Sequence, residues 1–138
     1  MNDSIKFWEK KWLEQKWFEA ARQGGYDYFK EILKLVELKE FKRGSFIDIQ
    51  DDSGVTALMY AALGGHFEVT DLLIRSGANL NIQTKEGNTA LMFAATEGYL
   101  YVAELLVKKG ADLDSENEEG FTALMLALEE GYSSIVKL

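Results

Sequence analysis

Along residues 56–138, short apolar blocks alternate with polar, glycine-bearing stretches. Their spacing predicts helices at 56–63, 67–75, 89–96, 100–108, 122–129 and 133–138, joined by tight turns around Asp51–Gly54, Thr84–Gly87 and Asn117–Gly120. A longer helix is predicted over residues 4–23, opened by Asn2, Asp3 or Ser4 and closed at Gly24-Gly25. Each of the short helices would have an apolar face it cannot bury alone, so the pattern demands stacking of neighbours.

The blocks are copies of one another. Thr56-Ala57-Leu58-Met59 recurs as Thr89 to Met92 and as Thr122 to Met125, each copy 33 residues after the last. Gly54, Gly87 and Gly120 precede the three threonines by two residues, and Gly65, Gly98 and Gly131 follow at constant distance. Gly44, Gly77 and Gly110 keep the same interval. A fixed period of this length is the mark of a solenoid, in which each unit contacts only its neighbours.

With these residues in view, the chain resembles the ankyrin-repeat family. Residues 54–87 match the family unit in order: Gly54-Val55-Thr56-Ala57-Leu58, Ala61-Ala62, Gly65-His66, Leu72-Leu73 and Gly77-Ala78-Asn79-Leu80-Asn81. The next unit repeats it with Ala94-Ala95, Gly98, Leu105-Leu106 and Gly110-Ala111-Asp112-Leu113-Asp114. One departure is consistent: the family's Thr-Pro-Leu-His is Thr-Ala-Leu-Met throughout, in a chain without proline. Thr56, Thr89 and Thr122 retain a hydroxyl able to cap the helix, and alanine tolerates the first-turn position that proline favours. Met59, Met92 and Met125 are expected to form an apolar spine of stacked core residues. The resemblance implies an all-α solenoid of helix-turn-helix units, joined by short turns or β-hairpins, behind an extended N-terminal capping helix. Residues 1–50 would form a degenerate capping unit, 51–83 and 84–116 full repeats, and 117–138 an incomplete C-terminal repeat. That last unit stops before its closing glycine, so either the chain is a fragment or Ile135, Val136 and Leu138 are partly covered by something else.

In the capping unit, Trp17-Phe18-Glu19-Ala20-Ala21 with Gly24 parallels Leu58 to Ala62 with Gly65 at an offset of 41. Gly44 to Gln50 already aligns with Gly77 to Gln83 at 33, so an insertion of about eight residues is placed within 35–43. Ile5, Trp8 and Trp12 share one helical face, rotated away from that of Trp17, Phe18 and Ala21. Either that face packs under the insertion, against Val36, Leu38 or Phe41, or it is an exposed aromatic docking surface.

Composition narrows the chemistry. An apolar fraction of 47% with 28% charged residues suits a packed core. The chain has no cysteine, which excludes disulfides, thiolate metal sites and a cysteine nucleophile. The N-terminus lacks a secretory h-region and no apolar run reaches membrane-spanning length, so a cytoplasmic protein is expected, although non-classical secretion would leave no mark. Charge divides the chain: residues 1–44 hold ten Lys/Arg against eight Asp/Glu, and residues 45–138 hold five against fifteen. That acidity disfavours nucleic acid, whose backbone calls for the opposite sign. It is accounted for by solubility alone, or by attraction of a basic partner surface.

No catalytic constellation survives scrutiny. The single histidine, His66, stands where Tyr99 and Tyr132 stand in later units, and bridging backbone groups between repeats is its expected role. Asp112, Asp114, Glu116 and Glu118 alternate like a calcium loop, but Ala123 occupies the twelfth position and Gly120 misses the turn. No metal, cofactor or catalytic residue is expected.

In the ankyrin family the usual binding face is concave, made by the turn tips and the first helices. Carried over by position, the resemblance points to a column of Tyr60, Phe93 and Leu126, flanked by Val55, Asn88 and Phe121 and by the acidic tip residues Asp52, Glu86 and Glu119. Trp8 and Trp12 complete the candidate partner-binding set. The expected function is non-catalytic binding of another protein, as adaptor, inhibitor or effector, by a monomer. The alternative is an assembly protein that self-associates through the N-terminal aromatic helix or the incomplete C-terminal repeat.

Overall fold

The computed structural model describes residues 3–38 and 46–138, with side chains from Phe7 onward. Helix α1 runs Asp3–Gln23 and α2 Tyr26–Leu38. Three pairs follow: α3 Ala57–Leu63 with α4 Phe67–Arg75, α5 Ala90–Glu97 with α6 Leu100–Lys108, and α7 Ala123–Glu130 with α8 Ser133–Val136. No strand occurs among the described residues.

Each first helix begins at the repeated threonine. Thr56, Thr89 and Thr122 have extended backbones, and each Oγ1 accepts the N–H of the methionine three residues on, at 3.3 Å. This satisfies one of the donors that a helix start leaves orphaned. In the first full repeat the methionine reciprocates, since Met59 Sδ lies 3.4 Å from the Thr56 N–H. The sequence reading cast the methionines only as core, and this acceptor role is additional.

The turns between units share one hydrogen-bond pattern. Asp51, Thr84 and Asn117 each donate N–H to the carbonyl four residues on, at 2.9 Å, and each accepts the N–H of the glycine three residues on, also at 2.9 Å. Gly87 is left-handed at φ +86°, and a Cβ there would stand 2.9 Å from the Glu118 N. Only glycine meets both conditions at no cost. Gly54 has the same relation to the Lys85 N. The N–H groups of Lys85 and Glu118 donate to the Ser53 and Glu86 carbonyls at 3.2 and 2.8 Å, so the tips are tied unit to unit.

First helices stack in the order α1, α3, α5, α7, each carrying its partner helix behind it. The core between them is aliphatic and thioether: Leu58, Met59, Leu91 and Met92 are all nearly fully buried, with Leu73 and Leu106 beneath them. The spine expected of the methionines therefore holds at Met59 and Met92 but not at Met125, which is 45% exposed. The reason is positional: α3 and α5 are covered on both sides, whereas no first helix packs on the far side of α7 among the described residues.

The N-terminal unit packs around aromatic side chains. Trp17 is fully buried, with its ring centroid 4.8 Å from that of Phe29 and 5.7 Å from that of Phe46. Ala20 and Ala21 are fully buried beside it. Helix α2 has 13 residues where α4 and α6 have nine. Residues 39–43 of the placed insertion, Phe41 among them, lie outside the described residues. Trp8 and Trp12 do not take the packed alternative: they are 67% and 50% exposed. Of the aliphatic partners named for them, Val36 turns into the core and Leu38 out to solvent. Phe7 stands exposed beside Trp8, edge to face at 5.5 Å.

Candidate interaction surface

The turn tips and first helices place five of the candidate residues around one groove of about 490 Å³: Asp52, Val55, Glu86, Asn88 and Phe93. Ser53, Thr84 and Lys85 complete its lining, three residues that the sequence reading did not single out. The tip repeat of 33 was the signal that could have found them, since Lys85 and Glu86 are the counterparts of Asp52 and Ser53. Phe93 and Val55 supply a half-buried apolar floor, and Asp52 and Glu86 stand exposed at the rim.

Tyr60, one unit earlier, sits in a different setting. Its hydroxyl donates to Asp51 Oδ2, whose Oδ1 accepts the N–H groups of Ser53 and Val55 at 3.0 and 2.9 Å. The Arg22 guanidinium lies over its ring at 5.1 Å from the centroid, and the Phe18 ring meets it edge-on at 5.8 Å. Burial pushes the Asp51 carboxyl up, but the Tyr60 hydroxyl, the two N–H groups and Arg22 together hold it below its usual value. The same burial and the Asp51 carboxylate push the Tyr60 phenol up to about 12. Arg22, Phe18 and Asp51 are members of this cluster absent from the candidate set.

Leu126 and Phe121 are half-buried and Glu119 is exposed. They belong to the last unit and do not line the groove. Asn117 links the flanks, its Nδ2 donating to Asn88 Oδ1 at 3.0 Å, and its own Oδ1 accepting the N–H groups of Glu119 and Phe121 at 3.0 Å each. Trp8 and Trp12 lie on α1, apart from the groove.

His66 occupies the inter-unit position expected of it. Its Nε2 is 2.9 Å from the Arg22 carbonyl, and its ring fills the space against Gly24, where a Cβ would stand 2.1 Å from Nδ1. Tyr99 and Tyr132 lie on Gly65 and Gly98 in the same way. In the acidic run at 112–118, Asp112 folds the local backbone. Asp112 accepts the Asp114 N–H at 2.8 Å and the Ser115 hydroxyl at 3.0 Å, and these bonds hold its carboxyl low. No cluster of three metal-ligating side chains occurs among the described residues. No helix among them is long and apolar enough to cross a membrane.

Stacked helix pairs with tied tips define a helical repeat solenoid. The chain belongs to the ankyrin-repeat family: the family model for ankyrin repeats, in three copies, matches residues 17–117. No curated protein matches it. Ankyrin repeats generally mediate protein–protein interaction, and the proteins that carry them are typically non-catalytic.

Proposed function

We propose that this chain is a non-catalytic binding module that engages a partner protein through the groove between its turn tips and first helices. The observation that carries this reading is the joining of Val55, Asn88 and Phe93 with the rim carboxylates Asp52 and Glu86 in one open groove. An aromatic floor anchors a contact by excluding water, and acidic rims on a strongly acidic repeat region speed the approach of a basic surface. The partner is therefore a protein with a basic surface and apolar side chains that reach the groove floor. Nucleic acid does not fit the sign of the rim. Adaptor, inhibitor and effector are roles in which such a module acts.

The test is site-specific photocrosslinking in source-cell lysate. A benzophenone side chain at Phe93 captures one discrete protein, whereas the same probe at Tyr101, on the outer face of α6, does not. Asp52→Lys/Glu86→Lys, which alters exposed rim positions, abolishes the capture. Equal capture from both probe positions would overturn the reading.

The exposed Trp8, Trp12 and Phe7 favour a second reading, self-association through α1. It requires a mass in sedimentation equilibrium that rises with concentration and returns to that of the monomer in Trp8→Ala/Trp12→Ala.

A further inference from the structure

We propose that the groove at Phe93 is an arginine receptor: the partner inserts an arginine side chain whose guanidinium stacks on the Phe93 ring and pairs with Asp52 and Glu86. The inference rests on the groove-binding reading above and names the side chain that reading leaves open.

The chain carries its own template for this contact. At the preceding junction Arg22 lies over the Tyr60 ring and favours the charged form of Asp51. There the guanidinium covers the ring, while the tip carboxylate is hydrogen-bonded by the ring's hydroxyl and two backbone N–H groups and feels the guanidinium only through its charge. The offset of 41 that aligns the capping unit with the first repeat puts Leu63 at the position of Arg22, and the 33-residue period puts Phe93 at the position of Tyr60. The second junction thus repeats the ring, but the period puts Thr84 at the position of Asp51, so its carboxylates, Asp52 and Glu86, stand elsewhere on the two tips. The residue at the position of Arg22 is an aliphatic one, 38% exposed.

Charge supports an external cation. Two carboxylates and one ammonium, Lys85, line the groove, leaving a net negative charge. The ion pairs recorded among the described residues, Lys16–Glu19, Lys34–Glu31 and Arg75–Asp71, engage neither Asp52 nor Glu86. Arginine fits better than lysine because its planar, weakly hydrated guanidinium stacks on a ring face while its edge donates in a fork to a carboxylate. The Lys85 side chain, at the rim, competes for the same carboxylates.

The experiment is a titration of the isotope-labelled full chain, read by amide chemical shifts. Three probe peptides, acetyl-Ala-Leu-X-Leu-Ala-amide, carry arginine, lysine or the neutral near-isostere citrulline at X. The expected result is saturable shifts at Val55, Glu86, Asn88 and Phe93 with the arginine peptide, bound about five-fold more tightly than the lysine peptide. Citrulline shows still weaker binding. Phe93→Leu and Asp52→Asn/Glu86→Gln each erase the arginine preference, and Lys85→Ala strengthens arginine binding. Equal affinity of the three peptides in the groove overturns the arginine assignment while leaving the groove as the partner site. Shifts confined to α1, or no saturable shifts, overturn the arginine assignment too. Loss of the Phe93 crosslink in lysate tests the groove reading separately.

Discussion

The Tyr60 hydroxyl donates to Oδ2 of Asp51, nine residues earlier, so a side chain of the first helix is fastened to the turn that precedes it. The expected cost of Tyr60→Phe is about 1 kcal/mol, a charge-assisted hydrogen bond discounted for partial exposure. The pH dependence follows from the direction of the Asp51 shift. Its carboxyl is lowered in the folded chain from the ordinary 3.8, so its contribution is complete above that value and fades as pH falls through the lower native one. Urea unfolding should therefore separate wild type from Asp51→Asn fully at neutral pH, with the gap closing in acid. In an alkaline spectrophotometric titration Tyr60 should ionise only near pH 12, and earlier in Asp51→Asn.

Removal of the Thr89 hydroxyl leaves the Met92 N–H without its acceptor at a buried helix start. Thr89→Ala should lower stability by about 1 kcal/mol, whereas Thr89→Ser should retain most of it. Equal losses for the two variants would show that the methyl, not the hydroxyl, is what matters there.

Gly87 and Gly110 both have positive φ, but their surroundings differ. A Cβ on Gly87 would collide with the Asn117–Glu118 backbone, whereas one on Gly110 would meet nothing within 4 Å. Gly110→Ala should cost only the backbone term, about 1–2 kcal/mol. Gly87→Ala should cost more, by separating tips tied through the Glu118 N–H, and chemical denaturation resolves the difference.

Leu106 is fully buried and Leu128 is 58% exposed, although both are leucines on helices of adjacent repeats. Leu106→Ala should cost about 2–5 kcal/mol through lost transfer energy and a residual cavity. Leu128→Ala should fall within about 0.5 kcal/mol of wild type. Calorimetric unfolding of the two variants checks the contrast.

The parts of the fold legible in the sequence were those encoded at the period: the threonine caps, the tip glycines, His66 on the preceding unit and the fully buried Trp17. Each is a residue type whose requirement is local or repeats in register. Less legible were contacts made by side chains reaching across units. Arg22 lies 38 positions from Tyr60, and nothing in their spacing says that a guanidinium will cover that ring. The period places Lys85 opposite Asp52 in the next tip, but that both line one groove depends on two tips and a helix lying side by side. Helical spacing put Trp8 and Trp12 on one face, but whether that face is covered depends on neighbours that periodicity does not specify. Met125 shares its motif with Met59 and Met92, yet its exposure is set by what stacks on α7. Identical words in a repeat do not guarantee identical burial.

The glutamines at the base of the tips show what the constant period permits. Gln50 Nε2 donates to the Gly54 carbonyl within its own turn and the Gln83 carbonyl of the next, at 2.8 and 3.2 Å. Gln83 does the same to Gly87 and Glu116, at 3.0 and 3.1 Å. Since these joints span the same stretch of chain, excision of residues 84–116 would bring Gln83 to the Gly120 carbonyl and Tyr132 to Gly65, while the Gln83 grip on the Glu116 carbonyl would be lost with the excised unit. A gene of this design can gain or lose a unit in one recombination event and still encode matching joints. The first helix of the N-terminal unit, which aligns at an offset of 41 and not 33, does not share that interchangeable spacing.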